Sequence, residues 1–66
     1  PLYVVRRQAV LRAMDYFRVP ASIRDIARAI SRTAWRSVIK EDDVEEIVKT
    51  IPDIERIDGK YILRKE

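Results

Sequence analysis

Apolar positions recur with a helical period over the first two thirds of the chain and then switch to alternation. Val10, Met14 and Phe17 fall at i, i+4 and i+7 with Ala9 and Ala13 beside them, so a helix over about residues 4–17 carries one core-facing stripe. Arg6, Arg7, Gln8, Arg12 and Asp15 lie largely outside it. Arg18-Val19-Pro20 closes the segment, because the residue before a proline is driven out of the α region.

A second helix is predicted to begin after Ser22, where Ser22-Ile23-Arg24-Asp25 is a Ser-x-x-Asp variant of the capping box. Ile23, Ile26, Ala27, Ile30 and Ala34 take one side of it. Arg24, Arg28, Arg32 and Arg36 repeat every four residues on a slowly winding stripe away from the isoleucines, a geometry that requires helix to about Arg36; a stop near Ile30 would leave Arg32 and Arg36 in a loop. A third helix, over about residues 40–51, sets Val44, Ile47, Val48 and Ile51 at i, i+3, i+4 and i+7, and Pro52 ends the pattern.

Beyond Pro52 the period changes. Two β-rich runs, Ile54–Ile57 and Lys60–Leu63, are joined by Asp58-Gly59, the strongest short hairpin signal a sequence carries. A two-residue turn there pairs Ile57 with Lys60, Arg56 with Tyr61 and Ile54 with Leu63. That register brings Ile54, Tyr61 and Leu63 to one face, against the helices.

With 66 residues the chain has room for one domain and one small core, so residues 1–66 are expected to form a single unit. Three helices and a terminal hairpin predict a mostly α fold with a small β-hairpin, a three-helix winged helix-turn-helix. Composition then removes most chemistry. No cysteine and no histidine leave no ordinary zinc site, no thiol nucleophile and no Ser-His-Asp arrangement, so neither an enzyme nor a cofactor or small-molecule substrate is expected. No apolar run exceeds four residues, which fits neither a signal peptide nor a membrane span and predicts a cytoplasmic setting. Asparagine is absent, glutamine occurs once and arginine outnumbers lysine ten to four, a bias seen in thermophilic proteins.

The net charge of +3 conceals a polarised molecule. Residues 1–40 hold nine basic side chains against Asp15 and Asp25, a net of +7, whereas residues 41–66 hold five basic against nine acidic, a net of −4. Such asymmetry points to a charged partner, either nucleic acid on the basic half or a complementary protein surface.

The segments Val10-Leu11, Pro20-Ala21-Ser22 with Asp25-Ile26 and Ile30, and Ile54 through Arg64 together resemble the HARE-type winged helix of restriction endonucleases and chromatin proteins. The spacing between the first two segments is longer here. The resemblance implies DNA binding or, as in many winged helices, protein binding.

In the usual helix-turn-helix mode the third helix enters the major groove. Here that helix would present Asp42, Glu45, Glu46 and only Lys49, and an acidic face is repelled by phosphates. Glu41, Asp42 and Asp43 suit the positive end of the helix dipole instead of a magnesium site. The expected nucleic-acid surface is therefore Arg24, Arg28, Arg32, Arg36 and Lys40 with the wing residues Lys60 and Arg64, helped by Arg6, Arg7 and Lys65. Arginine forks on that surface match phosphate oxygens of duplex DNA. The alternative is a protein-interaction module, self-associating or docking on another subunit, in which Trp35, Asp42, Glu45 and Glu46 form the contact. A tryptophan so placed more often closes a small core.

Overall fold

Each helix ends where side-chain chemistry competes with the next helical hydrogen bond. The computed structural model describes residues 2–32 and 39–64, and its first element, α1, spans Leu2–Tyr16. At its C-terminus the Phe17 amide donates to the Met14 carbonyl at 3.3 Å and the Arg18 guanidinium to the Asp15 carbonyl at 2.9 Å, covering groups the last turn leaves orphaned. The helix starts two residues before the apolar period does. Val4 is 48% exposed, so the first turn reaches beyond the buried stripe and has no periodic signal to announce it.

Helix α2 (Ile23–Ser31) starts as the sequence predicts and ends earlier. Ser22 is extended, with φ −72° and ψ 160°, and its Oγ accepts the Asp25 amide at 3.1 Å. The helix closes at Ser31, where the Ser31 hydroxyl donates back to the Arg28 carbonyl and the Arg32 amide turns to Ala29 and Ile30 as the C-cap; the remainder of the stretch expected to be helical, up to Arg36, lies outside the described residues. Serine next to a helix end offers such local bonds in place of the α ladder.

Helix α3 (Glu41–Thr50) begins after Lys40, whose side chain has no acceptor with which to cap. The reciprocal half of a capping box supplies the bond instead, the Lys40 amide donating to the Asp43 carboxylate at 3.1 Å. Glu41, Asp42 and Asp43 occupy the first turn, where the helix dipole favours negative charge. Asp43 also meets Arg6 of α1 at 3.5 Å, tying the two helices together at a partly shielded site.

Strands β1 (Ile54–Ile57) and β2 (Lys60–Leu63) form an antiparallel hairpin in the predicted register. Asp58 and Gly59 have φ of 52° and 77°, both in the left-handed region that a two-residue type I′ turn requires. The Arg64 amide adds a rung by donating to the Asp53 carbonyl at 2.7 Å. On the outer edge of β2, Ala21 pairs with Tyr61 through two backbone bonds of 2.8 Å, one in each direction.

The core fills the space between these elements. Val10 and Met14 of α1, Ile26 and Ile30 of α2, and Val44, Ile47 and Val48 of α3 are all buried. Ile51, Ile54 and Tyr61 close the cluster from the hairpin side, while Phe17, Ile23, Ala27 and Leu63 pack half-buried against it. Among the described residues no charged or polar side chain of the hydrophilic types is buried, so apolar burial holds the fold together. Among the described residues the architecture is three packed helices with a C-terminal hairpin, a winged-helix-like topology.

Candidate nucleic-acid interface

Arg24 and Arg28 stand one turn apart on α2, exposed and away from buried Ile26 and Ile30. Both face an open groove that continues across Ala27 and Ser31 to Ile39, Lys40 and Glu41 at the start of α3, with a volume of about 400 Å³. Three of the cations predicted for phosphate binding, Arg24, Arg28 and Lys40, are thus brought to one concavity. Among the described residues none of the three side chains is in an ion pair.

Arg32 goes elsewhere. A four-residue step overshoots the helical turn, so the stripe winds, and the helix has ended by Ser31. Arg32 lines a second groove, between α1 and α2, with Arg12 and Tyr16. Arg12 lies outside the core-facing stripe of α1 and was not among the residues expected to bind. The signal that marks it is the coincidence of two i, i+4 pairs on α1, Ala9 with Ala13 and Arg12 with Tyr16. Arg36 and Trp35 lie outside the described residues, as does Lys65.

The wing cations differ from each other. Lys60 is exposed beside the Asp58-Gly59 turn, at the tip of the hairpin. Arg64 sits at the opposite end, past β2, where its side chain pairs with Glu55. The Ala21–Tyr61 bridge joins β2 to the residue that precedes the Ser22 cap, so the wing is registered directly on the start of α2. Arg24 follows Ala21 by three residues.

Helix α3 exposes Asp42, Glu45 and Glu46, and its exposed cation Lys49 is held by Glu45 at 3.4 Å, one turn away. Its outward face is therefore acidic, at the element a helix-turn-helix ordinarily inserts. Among the described residues no cluster of acidic side chains is arranged to hold a metal ion. Among them also, no helix is long and apolar enough to cross a membrane.

The fold and these surfaces define a small helical domain with a wing-like hairpin and a basic groove on its second helix. No protein-family model matches the chain, and neither a curated protein nor a solved structure does so.

Proposed function

We propose that the chain is a winged-helix binding module that holds duplex DNA by its phosphates, through Arg24, Arg28 and Lys40 and the wing residue Lys60. The observation that carries this reading is the convergence on one open groove of three cations that, among the described residues, are in no ion pair. Guanidinium forks at one-turn spacing suit successive phosphate oxygens, and such contacts position a protein without reading sequence. The acidic outer face of α3 argues against its insertion into the major groove. The HARE-type likeness of the wing and Pro20-Ala21-Ser22 segments supports the same reading, and a cytoplasmic setting goes with it. The reading assigns binding and no catalysis, because the composition lacks histidine and cysteine.

The test is a duplex titration of the Arg24→Glu, Arg28→Glu double variant. Both side chains are exposed, so the variant is expected to fold, with circular dichroism as the check. Affinity should fall by at least about tenfold at low salt. Unchanged affinity in the folded variant removes the groove from the reading.

A second reading has its own observation. The acidic face of α3 and the basic groove of α2 are complementary surfaces on one chain, which suits head-to-tail self-association or docking on another subunit.

A further inference from the structure

The groove between α1 and α2 has a chemistry unlike that of the phosphate groove. Among the described residues its base is Ala9 and Ala13 from α1 and Ile30 from α2, all nearly covered, with half-buried Ala29 beside them. Three alanines leave the trough unfilled, with a volume of about 350 Å³, which is room for a pair of large side chains. Its rim is Arg12, Tyr16 and Arg32. Tyr16 is 82% exposed, and its ring stands edge-on to that of Phe17 at 6.3 Å, an aromatic wall presented to solvent. Among the described residues Arg12 and Arg32 are in no ion pair.

An apolar floor does not solvate phosphates, whereas cations around an apolar trough complement an acidic chain that carries apolar anchors. Among the described residues, a second copy of this chain does not supply that combination. The acidic helix α3 has its valines and isoleucines buried in its own core, and exposed Ile57 at the hairpin tip is flanked by Arg56 and Lys60 as well as Asp58. We infer that this groove docks an acidic amphipathic helical segment of a different protein, its apolar side chains against Tyr16 and Ala29 and its carboxylates on Arg12 and Arg32. The module then has two separate faces, one for this partner and one for the proposed phosphate contacts.

The experiment uses the full chain and a fluorescein-labelled peptide of roughly 15 residues, with leucines at i, i+3, i+4 and i+7 and glutamates on the flanks. A control peptide keeps the leucines and carries lysines in place of the glutamates. The acidic peptide should bind at least about tenfold more tightly than the control. It should shift the amide resonances of residues 9–16 and 29–32. The Arg12→Glu, Arg32→Glu variant should lose the peptide by about tenfold or more while duplex affinity changes by less than about threefold. The Arg24→Glu, Arg28→Glu variant should show the converse, so failure here is distinguishable from failure of the phosphate reading. Equal binding of both peptides, shifts mapping to another face, or loss of duplex instead of peptide in the Arg12, Arg32 variant would each overturn the inference. The last outcome would make this groove part of the nucleic-acid surface.

Discussion

Ala21 and Tyr61, forty positions apart, exchange both of their backbone hydrogen bonds, each 2.8 Å long. The pairing follows from the hairpin. A two-residue turn makes Ile57–Lys60 and Glu55–Ile62 the hydrogen-bonded pairs, which leaves the N–H and C=O of Tyr61 pointing away from β1. Ala21 meets them there, and its own side chain is buried.

Replacing Ala21 with proline deletes one donor and leaves the Tyr61 carbonyl unmatched at a shielded site. The expected loss is about 1–3 kcal/mol. A chain of this length has total stability of about 3–10 kcal/mol, so the shift is visible in a urea titration. Hydrogen exchange at the Tyr61 amide should accelerate with it. An unchanged denaturation midpoint would mean that the wing is held by its side chains alone.

Gly59 offers a cleaner backbone test, because a Cβ at that position meets nothing within 4 Å. Any penalty for Gly59→Val is therefore conformational, arising from a β-branched residue at φ 77°. The expected cost is about 1 kcal/mol or more, with Gly59→Asn milder since asparagine tolerates the left-handed region. Thermal unfolding of the two variants side by side measures the difference.

Lys60 separates binding from stability. Its side chain is exposed at the hairpin tip and makes no ion pair among the described residues, so Lys60→Ala should leave the melting temperature unchanged. Duplex affinity should fall a few-fold, and the slope of log affinity against log salt should become shallower by about one. With contacts from Arg24, Arg28, Lys40 and Lys60 the parent slope is expected near about −3 to −4. A slope near zero would point to a partner other than a polyanion.

Glu45→Gln with Glu46→Gln distinguishes the two functional readings. If the acids of α3 only keep the surface charged, duplex binding is retained or improves as repulsion falls. Any self-association seen in the parent by analytical ultracentrifugation should persist. If α3 is a docking face, that association is lost, and preference passes to the interaction module.

The parts of the fold that were legible in the sequence are those fixed by local chemistry. Ser22 and Asp25 announced α2, Pro52 ended α3, and Asp58-Gly59 determined the strand register down to individual pairs. The end of α2 was legible only as a choice between a stop near Ile30 and one near Arg36, because Ala34 and the arginine period continue past the point where the Ser31 hydroxyl and Arg32 amide turn back. Pattern records which face a residue would take if the helix went on; it does not record a competing bond. The same limit divided the expected arginine stripe, leaving Arg24 and Arg28 with Lys40 and sending Arg32 to a groove beside Arg12. Lys40 joined the site through a tertiary approach of α2 and α3, which spacing along either helix cannot express. The Ala21–Tyr61 bridge is likewise non-local, and a single residue of strand has no periodicity to detect.

Because Ala21 covers the outer side of β2, the margin of this small sheet that has no strand partner among the described residues belongs to β1. The alternation that turns Tyr61 toward Ala21 turns the N–H and C=O of its cross-strand mate Arg56 the other way. Open strand margins are where chains recruit one another into extended sheets, and a long, flat, apolar margin is the hazardous kind. Here the margin is four residues long, starts just after Pro52 and Asp53, and carries charges at Glu55 and Arg56. A neighbour adding itself as a further strand would gain few rungs and would lay its backbone against a guanidinium and a carboxylate, so the hairpin can project from the helices without templating a fibre.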